Sequence, residues 1–169
     1  MKTESERLEV PPQGGERELL EAFLDFHRDT LEWKCSGLTQ ARLKEATSPP
    51  SPLTLLGLLR HLAEAEHYWF DTVLVGSAQP AIYGGENPWY ELDKYSVDDV
   101  VGRWKQTCAS SRRNVATVPS CDHPATHARF WDGETVNLRW ILIHMIEEYA
   151  RHNGHADLLR ERIDGETGE

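Results

Sequence analysis

The stretch from Asn137 to Arg162 contains no proline and one glycine, Gly154, so it reads as one long helix. At 100° per residue, His144, Glu148, His152 and His155 fall within an arc of about 80°. Ile141 and Leu159 continue that stripe, and Leu138, Leu142, Met145, Tyr149 and Ala156 flank it on one side. Imidazoles and a carboxylate are therefore expected along the buried edge of a helix, where unpaired polar groups are costly. Such a register points to a bound metal or a closed hydrogen-bond network. Glu147 lies roughly 100° from Glu148, towards Arg151 and solvent, so Glu148 is the candidate ligand.

The rest of the chain gives this helix partners. Leu20, Phe23, Leu24, His27 and Leu31 recur at helical spacing before Gly37, and Leu53 to Val75 forms a second apolar segment that stops at Gly76. Ser96 followed by Asp98 and Asp99 reads as the capped start of a third helix, which carries Val97, Val100, Val101, Trp104 and Cys108. Its polar run from Ser110 to Asn114 is read as a solvated face. The expected fold is all-α, a four-helix bundle with helices near 16–35, 53–75, 96–118 and 137–162. Residues 1–15 are read as a flexible arm before a single domain spanning 16–169. Connections of nearly twenty residues separate helices two and three and helices three and four. The first bears Tyr83, Trp89 and Tyr90; the second holds His123, His127, Phe130 and Trp131, with a short strand conceivable only at 126–131.

On helix two, His61 shares a face with Leu58, Leu62, Ala65, Tyr68 and Trp69 and is expected to point inward. His67, beside Arg60, Glu64 and Asp71, is expected in solvent. His27 lies on the apolar side of helix one and reads first as a core histidine. Trp33, Phe70 and Trp140 fall outside the site face; if exposed, they would meet in a homodimer, and otherwise they pack beneath the long loops.

A chain of 169 residues can bury a real core. Its net charge of −10 argues against a nucleic-acid or anionic-membrane surface, and no apolar run reaches the length of a membrane span. Cys35, Cys108 and Cys121 are scattered and odd in number, which argues against a disulfide framework and for a cytoplasmic setting.

Glu148-x-x-x-His152 places two ligands one turn apart, and His61 from a facing helix would complete a two-histidine, one-carboxylate set with open positions. Ligand type favours zinc and leaves nickel, iron or manganese open.

The segments Leu58-Leu-Arg-His-Leu-Ala-Glu64 and His144-Met-Ile-Glu-Glu-Tyr-Ala-Arg-His-Asn-Gly-His-Ala-Asp157 resemble the DinB/YfiT-like four-helix metalloproteins. They resemble especially the actinobacterial branch near mycothiol-dependent maleylpyruvate isomerase and the mycothiol S-transferases. Phe26-His-Arg28, Trp33-Lys34, Asp132-Gly-Glu134 and Leu138-Arg-Trp140 extend the likeness over nearly the whole chain. The resemblance is to the metal-binding domain, since the isomerase has a further C-terminal domain. The common pattern uses three histidines; Glu148 at the middle position looks like the His-Glu-His variant of the mycothiol-dependent enzymes.

The resemblance maps His61, Glu148 and His152 as metal ligands. It leaves His144 and His155, with Arg139 and His27, as pocket residues or residues behind the ligands. It also implies a metal that binds a thiol such as mycothiol as thiolate and presents it to a small electrophile. A hydrolase using metal-bound water, a non-catalytic metal-binding stress-related module and a metal-free core remain the competing readings.

Overall fold

A computed structural model describes residues 4–127 and 133–168. Its long helices are α1 (Glu16–Lys34), α3 (Leu55–Glu66), α4 (Val97–Thr117) and α5 (Leu138–Asp164), with a short α2 (Gln40–Leu43) after α1. Helix α3 runs straight into a π-helical segment, His67–Leu74. The all-α expectation holds, and no strand forms among the described residues beyond a single bridge between Pro124 and Asn137. Residues 128–132, with Phe130 and Trp131, lie outside the described residues.

Three of the four long helices begin where an N-cap side chain takes up an orphan amide. Thr54 Oγ1 accepts from Gly57 N at 3.0 Å, Ser96 Oγ from Asp99 N at 3.1 Å and Asn137 Oδ1 from Trp140 N at 2.9 Å. At the other end of α5, Gly165 takes a left-handed conformation (φ 82°) that ends the helix. The four-residue α2, capped by Thr39, was not anticipated; it buries Leu43 against the core.

Helix α5 packs on α1 and α3, and α3 packs on α4, enclosing a core of Leu24, Leu31, Leu58, Leu62, Ile141, Leu142, Met145 and Leu159. One buried polar network crosses that core. Arg28 on α1 donates Nε and Nη2 to the two oxygens of Glu66 on α3, both at 2.7 Å. Tyr149 on α5 donates its hydroxyl to Glu66 Oε1 at 2.8 Å, and Trp104 Nε1 on α4 donates to that hydroxyl at 2.9 Å. Cys108 lies beside it, and burial raises its thiol pKa far above the usual range; burial likewise pushes the Cys35 thiol up to about 12. All three cysteines are buried and unpaired, so none is a poised nucleophile.

The structure decides several burial positions that the helical pattern left open or misread. Trp33 and Phe70 are buried, Trp33 beneath the guanidinium of Arg7, 4.7 Å from its ring centroid. Only Trp140 of the three proposed dimer aromatics is exposed, at 38%. Residues 4–15 make specific contacts, including Leu8 N donating to Asp29 Oδ2 at 3.0 Å. Ser111, placed on the solvated face of α4, is fully buried, and Phe23, placed on the apolar stripe of α1, is 45% exposed. No helix among the described residues is long and apolar enough to cross a membrane.

Replacing Glu66 with alanine leaves the Arg28 guanidinium buried without its main partner. The expected cost is about 3–5 kcal/mol, read as a lowered urea midpoint, with Glu66→Gln intermediate. A midpoint unchanged in Glu66→Ala would show that the network carries no stability.

Candidate metal centre

Three side chains from two helices meet at one point. Glu148 and His152 stand one turn apart on α5, with His152 Nε2 3.4 Å from Glu148 Oε2. Helix α3 brings His61 Nε2 to 3.5 Å from the same oxygen. The imidazole rings of His61 and His152 have centroids 4.6 Å apart, and the three potential ligand atoms lie within 4.8 Å of one another. His152 is buried, while His61 and Glu148 are half-buried, so the cluster sits at the inner end of an opening. Hydrogen bonds from His152 and His61 hold the Glu148 carboxyl well below the usual carboxylate range.

The surrounding residues differ in how they relate to this point. His155 Nδ1 stands 3.3 Å from His152 Nδ1, the nitrogen facing away from Glu148. Burial, with His152 and Arg151 nearby, lowers the His155 pKa, so its ring stays neutral. His144 Nε2 is 3.9 Å from the other Glu148 oxygen, and its ring stacks on Trp140 and meets Trp69 edge-on. His144, Glu147 and Glu148 form a second, more exposed group of potential ligands, with Glu147 ion-paired to Arg151.

The structure does not bring Arg139 or His27 to the cluster. Arg139 pairs with Glu16 and Asp122 near the start of α5. His27 Nδ1 faces the Asn153 amide at 3.4 Å between α1 and α5, and burial lowers its pKa, the behaviour of a core histidine.

The His67 expectation is overturned: its side chain is buried, while His61 is the more exposed of the two. The face bearing Arg60, Glu64, His67 and Asp71 is covered by the connection at residues 77–95 and by α4. His67 Nδ1 contacts Asp71 Oδ2 at 3.0 Å and its Nε2 faces the Gln79 carbonyl at 3.4 Å. Asp71 in turn accepts from Ser110 and Asn114 of α4. Arg60 is buried, donating to the Tyr90 carbonyl at 2.9 Å and lying over the rings of Tyr83 and Tyr95. Glu64 accepts from the Ile82 and Tyr83 amides at 3.1 and 2.6 Å.

These bonds fold the connection over α3 and add residues the sequence reading did not assign to the site. The Trp89 ring comes to 5.7 Å from His61 and 6.4 Å from His152. Gly57, one turn before His61, permits this: a Cβ there would lie 2.7 Å from the Trp89 ring. A glycine inside a helix one turn from a candidate ligand was the available signal. Between α3, the connection and Glu148 opens a cavity of about 410 Å³, walled by Ala65, Tyr68, Trp69, Ala81, Tyr83 and Pro88 among others.

The model of the mycothiol S-transferase family matches residues 19–165. The chain belongs to that family. The match runs from within α1 to the glycine that ends α5, so the family's span takes in both helices of the cluster and the connection above it. None of the curated proteins matches the chain.

Arg60 is expected to hold the connection in place. In Arg60→Met, backbone amides from Tyr83 to Tyr95 should exchange with deuterium faster than in the parent, while those of α5 do not change. Unaltered exchange across the connection would dismiss that role.

Proposed function

We propose that this chain is a divalent-metal-dependent S-transferase that activates a low-molecular-weight thiol, mycothiol, for transfer to an electrophile. His61, Glu148 and His152 would hold the ion. The observation that carries this reading is the approach of two imidazole nitrogens to one carboxylate oxygen at 3.5 and 3.4 Å beside an open cavity, in a mycothiol S-transferase family chain.

The donor set fits such an ion. Ligand bonds of about 2.0–2.2 Å in tetrahedral geometry separate neighbouring donors by about 3.4 Å, the spacing already present. Two nitrogens and one oxygen suit zinc first, and three protein ligands leave positions for a thiol. When bound there, the ion would lower the pKa of a coordinated thiol and so supply a nucleophile at neutral pH.

The chain's own residues prepare that site. For His152 to present an Nε2 lone pair, its proton must sit on Nδ1, where His155 Nδ1 accepts it. A neutral His155 is the form that can accept, and burial keeps it so. Glu148 offers charge at any pH where the imidazoles are neutral, because even an ordinary carboxyl ionises below that range. Trp89 over the two imidazoles limits access of water from that side.

Purified protein is expected to hold about one equivalent of a divalent ion by elemental analysis, and to consume electrophiles only with thiol present. His61→Ala, Glu148→Gln and His152→Ala should each lose the ion, while His123→Ala, an exposed position, keeps it. Protons compete with the ion for the imidazole nitrogens, so metal content should fall as pH is lowered. Full metal content in His152→Ala, or turnover indifferent to thiol, would remove the reading.

His155→Ala should weaken metal affinity by about 10–100-fold through loss of the Nδ1 acceptor, without loss of helix by circular dichroism. Parent-like affinity in a chelator competition would discard the orienting role.

A further inference from the structure

We propose that the cavity beside the triad takes the electrophile, and that the electrophile is an uncharged aromatic molecule. The inference rests on the S-transferase reading for its chemistry and on the cavity wall for its selectivity. At about 410 Å³ the cavity suits a small ring-bearing molecule, and Tyr68, Trp69 and Tyr83 give it flat aromatic walls. Glu148 is also in the wall, so a molecule lying there borders the triad.

The charges in that wall exclude an anion. Among the described residues lining the cavity the single guanidinium is Arg60, against the carboxylates of Glu64, Glu86 and Glu148. Arg60 is buried and committed: it donates to the carbonyls of Tyr90 and Pro88 and to Glu86 Oε2, at 2.9, 3.5 and 3.4 Å. Its guanidinium lies over the rings of Tyr83 and Tyr95, 5.0 and 5.2 Å from their centroids. An electrophile bearing a carboxylate would bury that charge against apolar walls with no free cation to pair it. Lys94, outside the lining, is likewise committed, to Glu86, and the charge of a divalent ion in the triad would be taken up by Glu148 and the thiolate. A neutral ring meets no such penalty.

With an aryl chloride the step balances simply. The thiolate sulfur forms a bond to the ring carbon, the carbon–chlorine bond breaks, chloride leaves with the bonding pair, and the thiol proton passes to solvent.

The test compares two pairs of probes at neutral pH with the metal-loaded protein. With mycothiol as co-substrate, kcat/KM relative to the uncatalysed rate should be at least tenfold higher for 1-chloro-2,4-dinitrobenzene than for 4-chloro-3,5-dinitrobenzoate. Calorimetry with the unreactive 1,3-dinitrobenzene and 3,5-dinitrobenzoate removes the dependence on turnover; the neutral ring should bind at least tenfold more tightly. Ala81→Lys, which adds a cation at the exposed rim, should narrow that difference several-fold. Equal or tighter binding of the benzoate, or no response to Ala81→Lys, would overturn the inference. Selective binding of the neutral ring without turnover of either chloride would support the cavity's selectivity and overturn the S-transferase reading instead.

Discussion

Arg28 and Glu66 form a bidentate pair between α1 and α3, and the other two long helices are tied to it through Tyr149 and Trp104. A buried pair of this kind gains little over an apolar core of the same shape, but it tolerates few alternative arrangements of its partners. Its consequence here is axial register. Glu66 lies on the same helix as His61, and Tyr149 follows Glu148 directly in α5. The bond from Tyr149 to Glu66 therefore fixes the height of α5 against α3, and with it the meeting of His61 with Glu148 and His152.

Around that frame the connection at residues 77–95 acts as the outer wall of the site. It has little regular structure of its own, so its order comes from polar groups on α3: Arg60 takes its carbonyls and Glu64 its amides. The result is that a helix face rich in charge lies under a loop, and the loop's aromatic residues are carried to the triad. Gly57 completes the arrangement by letting Trp89 approach the helix backbone. The same bonds that secure the loop use up the guanidinium of Arg60, which couples the loop's stability to the charge the site can accept.

Family membership and local geometry bear on different parts of the functional reading. The mycothiol S-transferase match covers the helices and the connection as a unit and speaks to thiol chemistry. The distances about Glu148 speak to which atoms could share a cation. His155 stands behind His152 on the half-buried surface of α5, with burial lowering its pKa.

By itself the sequence determined the local terms. The cap at Ser96, the breaker-free length of α5 and the one-turn spacing of Glu148 and His152 depend on residues within a few positions of one another. Helical period is enough to read them. What only the tertiary structure decided is which faces another element covers. Arg60 and His67 read as solvent-facing because amphipathic patterning assigns polar faces to water, yet loop carbonyls meet both, and Asp71 takes the other His67 nitrogen while α4 holds Asp71. Ser111, read on a solvated face of α4, became buried for the same reason. The cavity exists only once Ala81, Tyr83 and Pro88 are laid against α3, a contact between segments whose pairing no local pattern encodes.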